Sequence, residues 1–226
     1  PVHIDYPYSI SDLQLLMGHD TDSFNRYESA QKVYLESFKK ITIGIAKSHD
    51  ISLALADVAT PWGLILKDNN LDPAFKAHIL ALPHAATLYQ ELNAPNVVLN
   101  GKAMHVLNTH LAQTYEAEIL ALYEQMTKKS QGPLSAQTMG ARALKNLCLH
   151  FLSGLPQYKE LVKTHFQSSQ TMTEELSGLK TILSTEGLKG QWALDEFDQK
   201  WRKDSLVMQK WFGAQAASLP AEDLFS

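Results

Sequence analysis

The stretch MHVLNTHLAQTYEAEILALYEQM, Met104 to Met126, decides the fold class. Met104, Leu107, Leu111, Tyr115, Ile119, Leu122 and Met126 recur at steps of three and four, which puts them on one stripe and predicts a single amphipathic helix through the run. Outward from it the same period repeats in shorter pieces. From Ser9 onward it breaks at Gly18 to Asp22, Asp50, Asn69-Asn70, Pro83, Asn93 to Pro95, Gly132-Pro133, Gly154 to Pro156, Gly187 to Gly190 and Pro220, which leaves roughly ten helices. Asp72-Pro73 predicts a helix start, an N-cap acceptor followed by a proline whose missing N–H costs nothing there. Thr60-Pro61 reads either as a kink or as a restart of the helix from about Leu53 to Leu66. Met126 to Thr138 is polar and reads as a loop. No fixed-period consensus recurs. The expected fold is therefore all-α, an irregular stack of helical hairpins, loosely solenoid-like.

Ahead of this, Val2 to Tyr6 alternates apolar and polar residues, the period of a half-buried strand. A lone strand cannot satisfy its backbone, so residues 1–8 are read as the remnant of a preceding β domain and residues 9–226 as one helical domain. Composition agrees with a soluble globular chain: 226 residues, 45% hydrophobic and 19% charged. A net charge of -4, with only Lys39-Lys40 and Lys128-Lys129 as basic pairs, argues against nucleic-acid partners and anionic membranes. No apolar run approaches a membrane span. Cys148 is the only cysteine, which rules out an internal disulfide and fits a reducing compartment.

The catalytic motifs that a chain of this size could carry are missing from the sequence. A zinc peptidase helix needs two histidines four apart with a glutamate beside the first, and none of the nine histidines satisfies this. His105 and His110, five apart, point about 140° away from each other around a helix. They read as surface and boundary positions. His78 and His84 begin no ligand pair, because Leu82 and Leu88 stand four residues on. His150 reads as a core histidine. In His19-Asp20-Thr21-Asp22, N-cap acceptors for the next helix explain the composition better than a metal. Asp195-Glu196-Phe197-Asp198 and Glu174-Glu175 read as solvated acidic first turns. Cys148 sits among apolar residues that disfavour a thiolate, and no nucleophile elbow or glycine-rich phosphate loop occurs. Trp192, Trp201, Trp211, Phe197 and Phe212 read as core rather than as a stacking platform. Val207, Met208, Trp211, Phe212 and Ala214 form one stripe of a helix expected to be buried.

Two segments far apart in the chain add something that periodicity cannot. Phe24-Asn25-Arg26-Tyr27-Glu28-Ser29-Ala30-Gln31 and Leu206-Val207-Met208-Gln209-Lys210-Trp211-Phe212-Gly213-Ala214-Gln215-Ala216 together resemble the C-terminal helical domain of bacterial aminopeptidase N, a gluzincin-type zinc metallopeptidase. Leu71-Asp72-Pro73-Ala74, Ile79 to Pro83 and Ala141 to Leu149 resemble the same family in the same order. Tyr27 and Glu28 stand where the family has tryptophan and aspartate, and Lys128 to Thr138 has no counterpart.

The resemblance implies a parent enzyme of the membrane alanyl aminopeptidase type that removes N-terminal residues from peptides, using zinc and a glutamate base. It implies that the zinc helix and the amine-reading Gly-x-Met-Glu-Asn strand lie in a preceding catalytic domain, the intramolecular partner of this segment. The segment would cover the active-site cavity and be inert alone, in the cytoplasm. The family's helical domain continues past the position of Ala217, so this one is read as incomplete at its C-terminus. No catalytic, cofactor-binding or metal residue is assigned to this chain, and no zinc is assigned to it. The alternative is a self-standing helical-repeat interaction module, which explains the same amphipathic helices.

Overall fold

The computed structural model describes residues 6–92, 96–185 and 187–218. Among them are twelve α-helices and one short 3-10 turn, with no strand. The strand expected at Val2 to Tyr6 falls outside the described residues except for Tyr6, which carries no regular structure. The chain divides into two compact units, residues 1–118 and 119–226.

The first unit contains α1 (Ile10–His19), α2 (Ser23–Lys47), α3 (Ser52–Lys67), α4 (Pro73–Leu80), α5 (Ala85–Glu91) and α6 (Val97–Thr114). Local chemistry sets the starts. Ser9 and Asp12 form a reciprocal capping box at α1, and Asp22 accepts from Asn25 N at 2.9 Å to open α2. Asp72 Oδ1 accepts from Ala74 N and Phe75 N ahead of α4, with Pro73 in its first turn, as its sequence predicts. The long helix α2 packs against α1, α3, α4 and α6, so it is the axis of this unit. Met17, Tyr34, Phe38, Ile41, Trp62, Ile65, Ile79, Leu80, Leu107 and Leu111 are among its fully buried large side chains. Each is worth roughly 1.5–3 kcal/mol of transfer free energy.

The second unit takes most of α7 (Glu116–Lys129), then α8 (Ala136–Ser153), the turn Pro156–Tyr158, α9 (Lys159–Ser168), α10 (Met172–Ser184), α11 (Gln191–Trp201) and α12 (Ser205–Ser218). Here α10 is the axis, touching α8, α9, α11 and α12. Its approach to α9 is close because position 178 lacks a side chain: a Cβ on Gly178 would lie 3.0 Å from Phe166 Cα.

Two expectations need correction. The run from Met104 to Met126 is two helices, interrupted at Tyr115. The apolar period continues through the break, so periodicity alone could not show it; Tyr115 instead turns its hydroxyl onto Ala59 O at 2.7 Å. The stretch read as a loop from Met126 is helical through Lys129, and the break is confined to residues 130–135.

The ambiguity at Thr60-Pro61 resolves into one continuous helix, α3, with Pro61 inside it. Proline has no N–H, so the carbonyl four residues earlier, that of Asp57, loses its helical donor. Gln14 Nε2 on α1 donates to Asp57 O at 2.8 Å and replaces it. The broken rung thus adds a polar tie between α1 and α3, which also pack on each other. This predicts a double-mutant cycle. Gln14→Ala should cost about 1 kcal/mol where Pro61 is present, and close to nothing in a Pro61→Ala background, where the backbone amide is restored. Urea unfolding midpoints of the four proteins measure the coupling.

Candidate functional site

Outside the apolar cores, the polar side chains with long-range partners fall into two groups, one in each unit. In the first unit, apart from the Gln14 and Tyr115 bonds to the interior of α3, several of them close helix ends. Arg26, from the Phe24 to Gln31 stretch, donates Nε to Met17 O at 3.0 Å and an η nitrogen to Gly18 O at 3.1 Å, satisfying the last turn of α1. Tyr34 donates to Ile79 O at 2.7 Å and Trp62 Nε1 to Leu80 O at 3.0 Å, so the end of α4 is held by α2 and α3. Burial pushes the Tyr34 phenol far above its ordinary pKa, which keeps it a donor. Buried Lys76 donates to Leu66 O at 3.0 Å. Tyr27 stacks on His78 with centroids 4.4 Å apart.

In the second unit the polar residues form a buried charged cluster. Glu174 is 3% exposed and Glu175 is 4% exposed, so the reading of both as a solvated acidic turn is overturned. Thr171 caps α10 and donates to Glu174 Oε2 at 2.9 Å, while Lys145 Nζ on α8 donates to Glu174 Oε1. Arg142 Nε lies 4.0 Å from Glu174 Oε2, and its guanidinium also donates to Ser130 O at 3.1 Å at the end of α7. Burial works against the Glu174 carboxylate, but the hydrogen bonds from Lys145 and Thr171 outweigh it and hold its pKa below the usual carboxylate range. Glu175 Oε2 accepts from Lys200 at 2.7 Å and from Trp201 Nε1 at 3.2 Å, tying α10 to α11.

His165 completes this cluster. It is buried, with Nδ1 3.0 Å from the Tyr123 hydroxyl, and Nε2 makes no hydrogen bond. Burial, and secondarily the Lys145 charge, push its pKa down to about 4, while burial pushes Tyr123 up to about 12. At neutral pH the cluster is Glu174 held between Lys145 and Arg142, with Glu175 paired to Lys200, beside a neutral imidazole and a neutral phenol. Apart from Lys200 its titratable groups are buried, and its geometry serves to register α8, α9 and α10. The sequence carried one signal for it, Thr171-x-x-Glu174, a capping pattern that looks the same whether the glutamate is solvated or buried.

The other sequence candidates are dispersed. His105 is exposed and His110 is half-buried, as read. Asp20 and Asp22 act in capping, and Cys148 is buried. His150 is exposed at the last turn of α8, edge-on to Phe151, and not a core residue; the buried stripe Leu144, Cys148, Leu152 turns away from it. Phe197 is fully buried, and Trp192, Trp201 and Trp211 are half-buried. In α12 the stripe is narrower than expected: Val207 and Ala214 face inward, while Leu206 is 69% and Phe212 63% exposed. Phe212 is five residues beyond Val207, about 140° around the helix. Among the described residues no group of three His, Cys, Asp or Glu side chains converges, so they do not offer a donor set that fits zinc.

Residues 10–226 match a family described as a domain of unknown function, DUF3458_C, with ARM repeats. The chain belongs to this family. This DUF3458_C domain is 29% identical over 226 residues to aminopeptidase N of Escherichia coli, covering 99% of this chain and 26% of that protein. With aminopeptidase N of Caulobacter vibrioides it shares 30% over 217 residues, covering 95% of this chain and 25% of the relative. It therefore spans about a quarter of the curated relatives it matches. Its fold is that of a segment of Legionella pneumophila aminopeptidase A, solved in complex with aspartic acid, with a TM-score of 0.85 at 23% identity over 99% of this chain and 27% of that one. The homology expected from the Phe24 and Trp211 helices is thus shown along nearly all of this chain.

Two consequences of the cluster are measurable. Glu174→Leu should destabilise the domain by about 3–5 kcal/mol, because Lys145 is left buried without its partner, and adding Lys145→Met should recover most of that loss. Denaturant unfolding of the single and double variants checks it. The second consequence concerns pH. The folded-state pKa of His165 is depressed, from 6.5 to about 4, so between these values the unfolded chain binds more protons and stability rises with pH. Acidification from pH 6.5 to 4 should remove up to about 3 kcal/mol, and His165→Gln should flatten that slope in a pH series of urea midpoints.

Proposed function

We propose that this chain is the C-terminal helical part of a zinc-dependent aminopeptidase N that removes N-terminal residues from peptides in the cytoplasm. The observation that carries the reading is the match to two aminopeptidases N, at 29% and 30% identity, over 99% and 95% of the chain. The buried cluster supports a structural share of that work, since its one strong carboxylate, Glu174, is already held by Lys145 and Thr171. Zinc and the glutamate base would come from a catalytic domain outside this segment, because the described residues supply no fitting donor set. The segment's own task would be to cover the substrate cavity and restrict entry to peptides, inert without its catalytic partner. Exposed apolar residues such as Leu206 and Phe212 are compatible with a surface that packs on other parts of the enzyme.

The test compares two proteins on an alanyl fluorogenic amide with zinc present. The polypeptide encoded by the whole reading frame around this segment should hydrolyse it, and the isolated 226-residue chain, shown folded by circular dichroism, should not. Metal-dependent turnover by the isolated chain would overturn the assignment of the chemistry elsewhere. An inert long polypeptide without a His-Glu-x-x-His helix would instead favour the self-standing interaction module.

A further inference from the structure

From Lys102 to Gln131 the chain contains neither glycine nor proline, and its apolar period runs through in phase, so its own sequence favours one unbroken helix. Yet Tyr115 leaves the helical region, at φ -121° and ψ 27°, and α6 stops there while α7 starts at the next residue. A sharp break has an identifiable cause, and here it sits on another helix. The Tyr115 side chain is received by α3: its phenol donates to Ala59 O at 2.7 Å, and its ring lies against Trp62 with centroids 5.6 Å apart. Gly63 supplies the room. It stands inside α3, where glycine costs helix stability, and a Cβ at this position would collide with the Tyr115 hydroxyl and ring. One turn on, Lys67 lies over the same ring at 5.2 Å and pairs with Glu118 at 3.0 Å, beyond the break.

We propose that Tyr115 is a releasable latch and that the α6–α7 junction is a two-state element. Seated in the socket at Gly63, Tyr115 holds the chain broken. Withdrawn, it lets residues 97–129 join as one helix, which adds backbone rungs across position 115, among them Glu116 N–H to Ala112 O and Glu118 N–H to Thr114 O. The opposing terms are of similar kind and size. The joined helix gains these rungs, whereas the latched state keeps one neutral hydrogen bond, one ring contact and a half-exposed ion pair that salt screens. A change confined to the receiving face of α3 is therefore enough to decide between them. The boundary between the two units falls at residues 118 and 119, inside the first turn of α7, so the switching element lies where the first unit passes the chain to the second. The latch is built from residues of the first unit and does not depend on the peptidase reading.

The experiment follows residue 115 by NMR in the isotope-labelled 226-residue chain. In the parent its Cα shift should be non-helical, and the Glu116 and Glu118 amides should exchange quickly with solvent. Gly63→Ala fills the socket and should move the Cα shift of residue 115 to the helical side, slowing both amides by about tenfold. Tyr115→Ala removes the latch, leaves the socket open and should do the same. A retained Trp62 indole N–H resonance shows in each variant that the first unit is folded. A helical shift in the parent, a residue 115 that stays non-helical in either folded variant, or a junction whose signals become those of disordered chain would overturn the proposal and leave the break a fixed feature of the fold. If Gly63→Ala does not fold, Tyr115→Ala decides by the same readout.

Discussion

Short helices have a shared problem at their ends, and its solution organises this structure. The last turn of every α-helix leaves about four carbonyls without an intrahelical donor, and an all-α domain built from many short helices multiplies that deficit. In the first unit the donors come from side chains of neighbouring helices: Arg26 for α1, Tyr34 and Trp62 for α4, Lys76 for α3. Even the rung lost inside α3 at Pro61 is filled in this way, by Gln14. Apolar packing supplies most of the driving force but is tolerant of sliding. A hydrogen bond from one helix to the final carbonyl of another is not, and it fixes how far each helix extends along the next.

The second unit solves the corresponding problem with charge. An ion pair buried between α8 and α10 recovers little net stability once desolvation is counted, but breaking one half of it is severe. Lys145, Glu174 and Thr171 therefore act as a register mark for α8 against α10, and Glu175 with Lys200 and Trp201 does the same for α11. The same groups that would suggest acid–base catalysis in an open cleft are here committed to each other. The His165 ring, deprived of water and set near a lysine, is held neutral.

What could be read from the sequence was what is local. Asp72-Pro73 declares a helix start within three residues, and Ser9 with Asp12 does the same, so those boundaries were recoverable. The all-α class followed from periodicity, and the family from motifs at opposite ends of the chain. Glu174 and Glu175 could not be placed, because an acidic first turn reads alike whether it meets water or a lysine brought in from another helix. The break at Tyr115 was hidden by an apolar period that continues in phase across it. Phe212 was misplaced because α12, which packs on α10 and α11, buries a narrower stripe than the apolar period of its sequence. For Glu174, Glu175 and Tyr115 the deciding contact joins residues distant in sequence.

The placement of the four tryptophans has an optical consequence. Trp62 is the sole indole of the first unit, fully buried with its N–H on a backbone carbonyl, whereas Trp192, Trp201 and Trp211 all belong to the second and are half-buried. Intrinsic emission from this chain is therefore a sum of two spectrally distinct populations, a blue-shifted one from a dry site and a redder one from partly wetted sites. Replacing Trp62 by phenylalanine silences one unit and leaves the other reporting, so the cooperativity between them can be read with no added label.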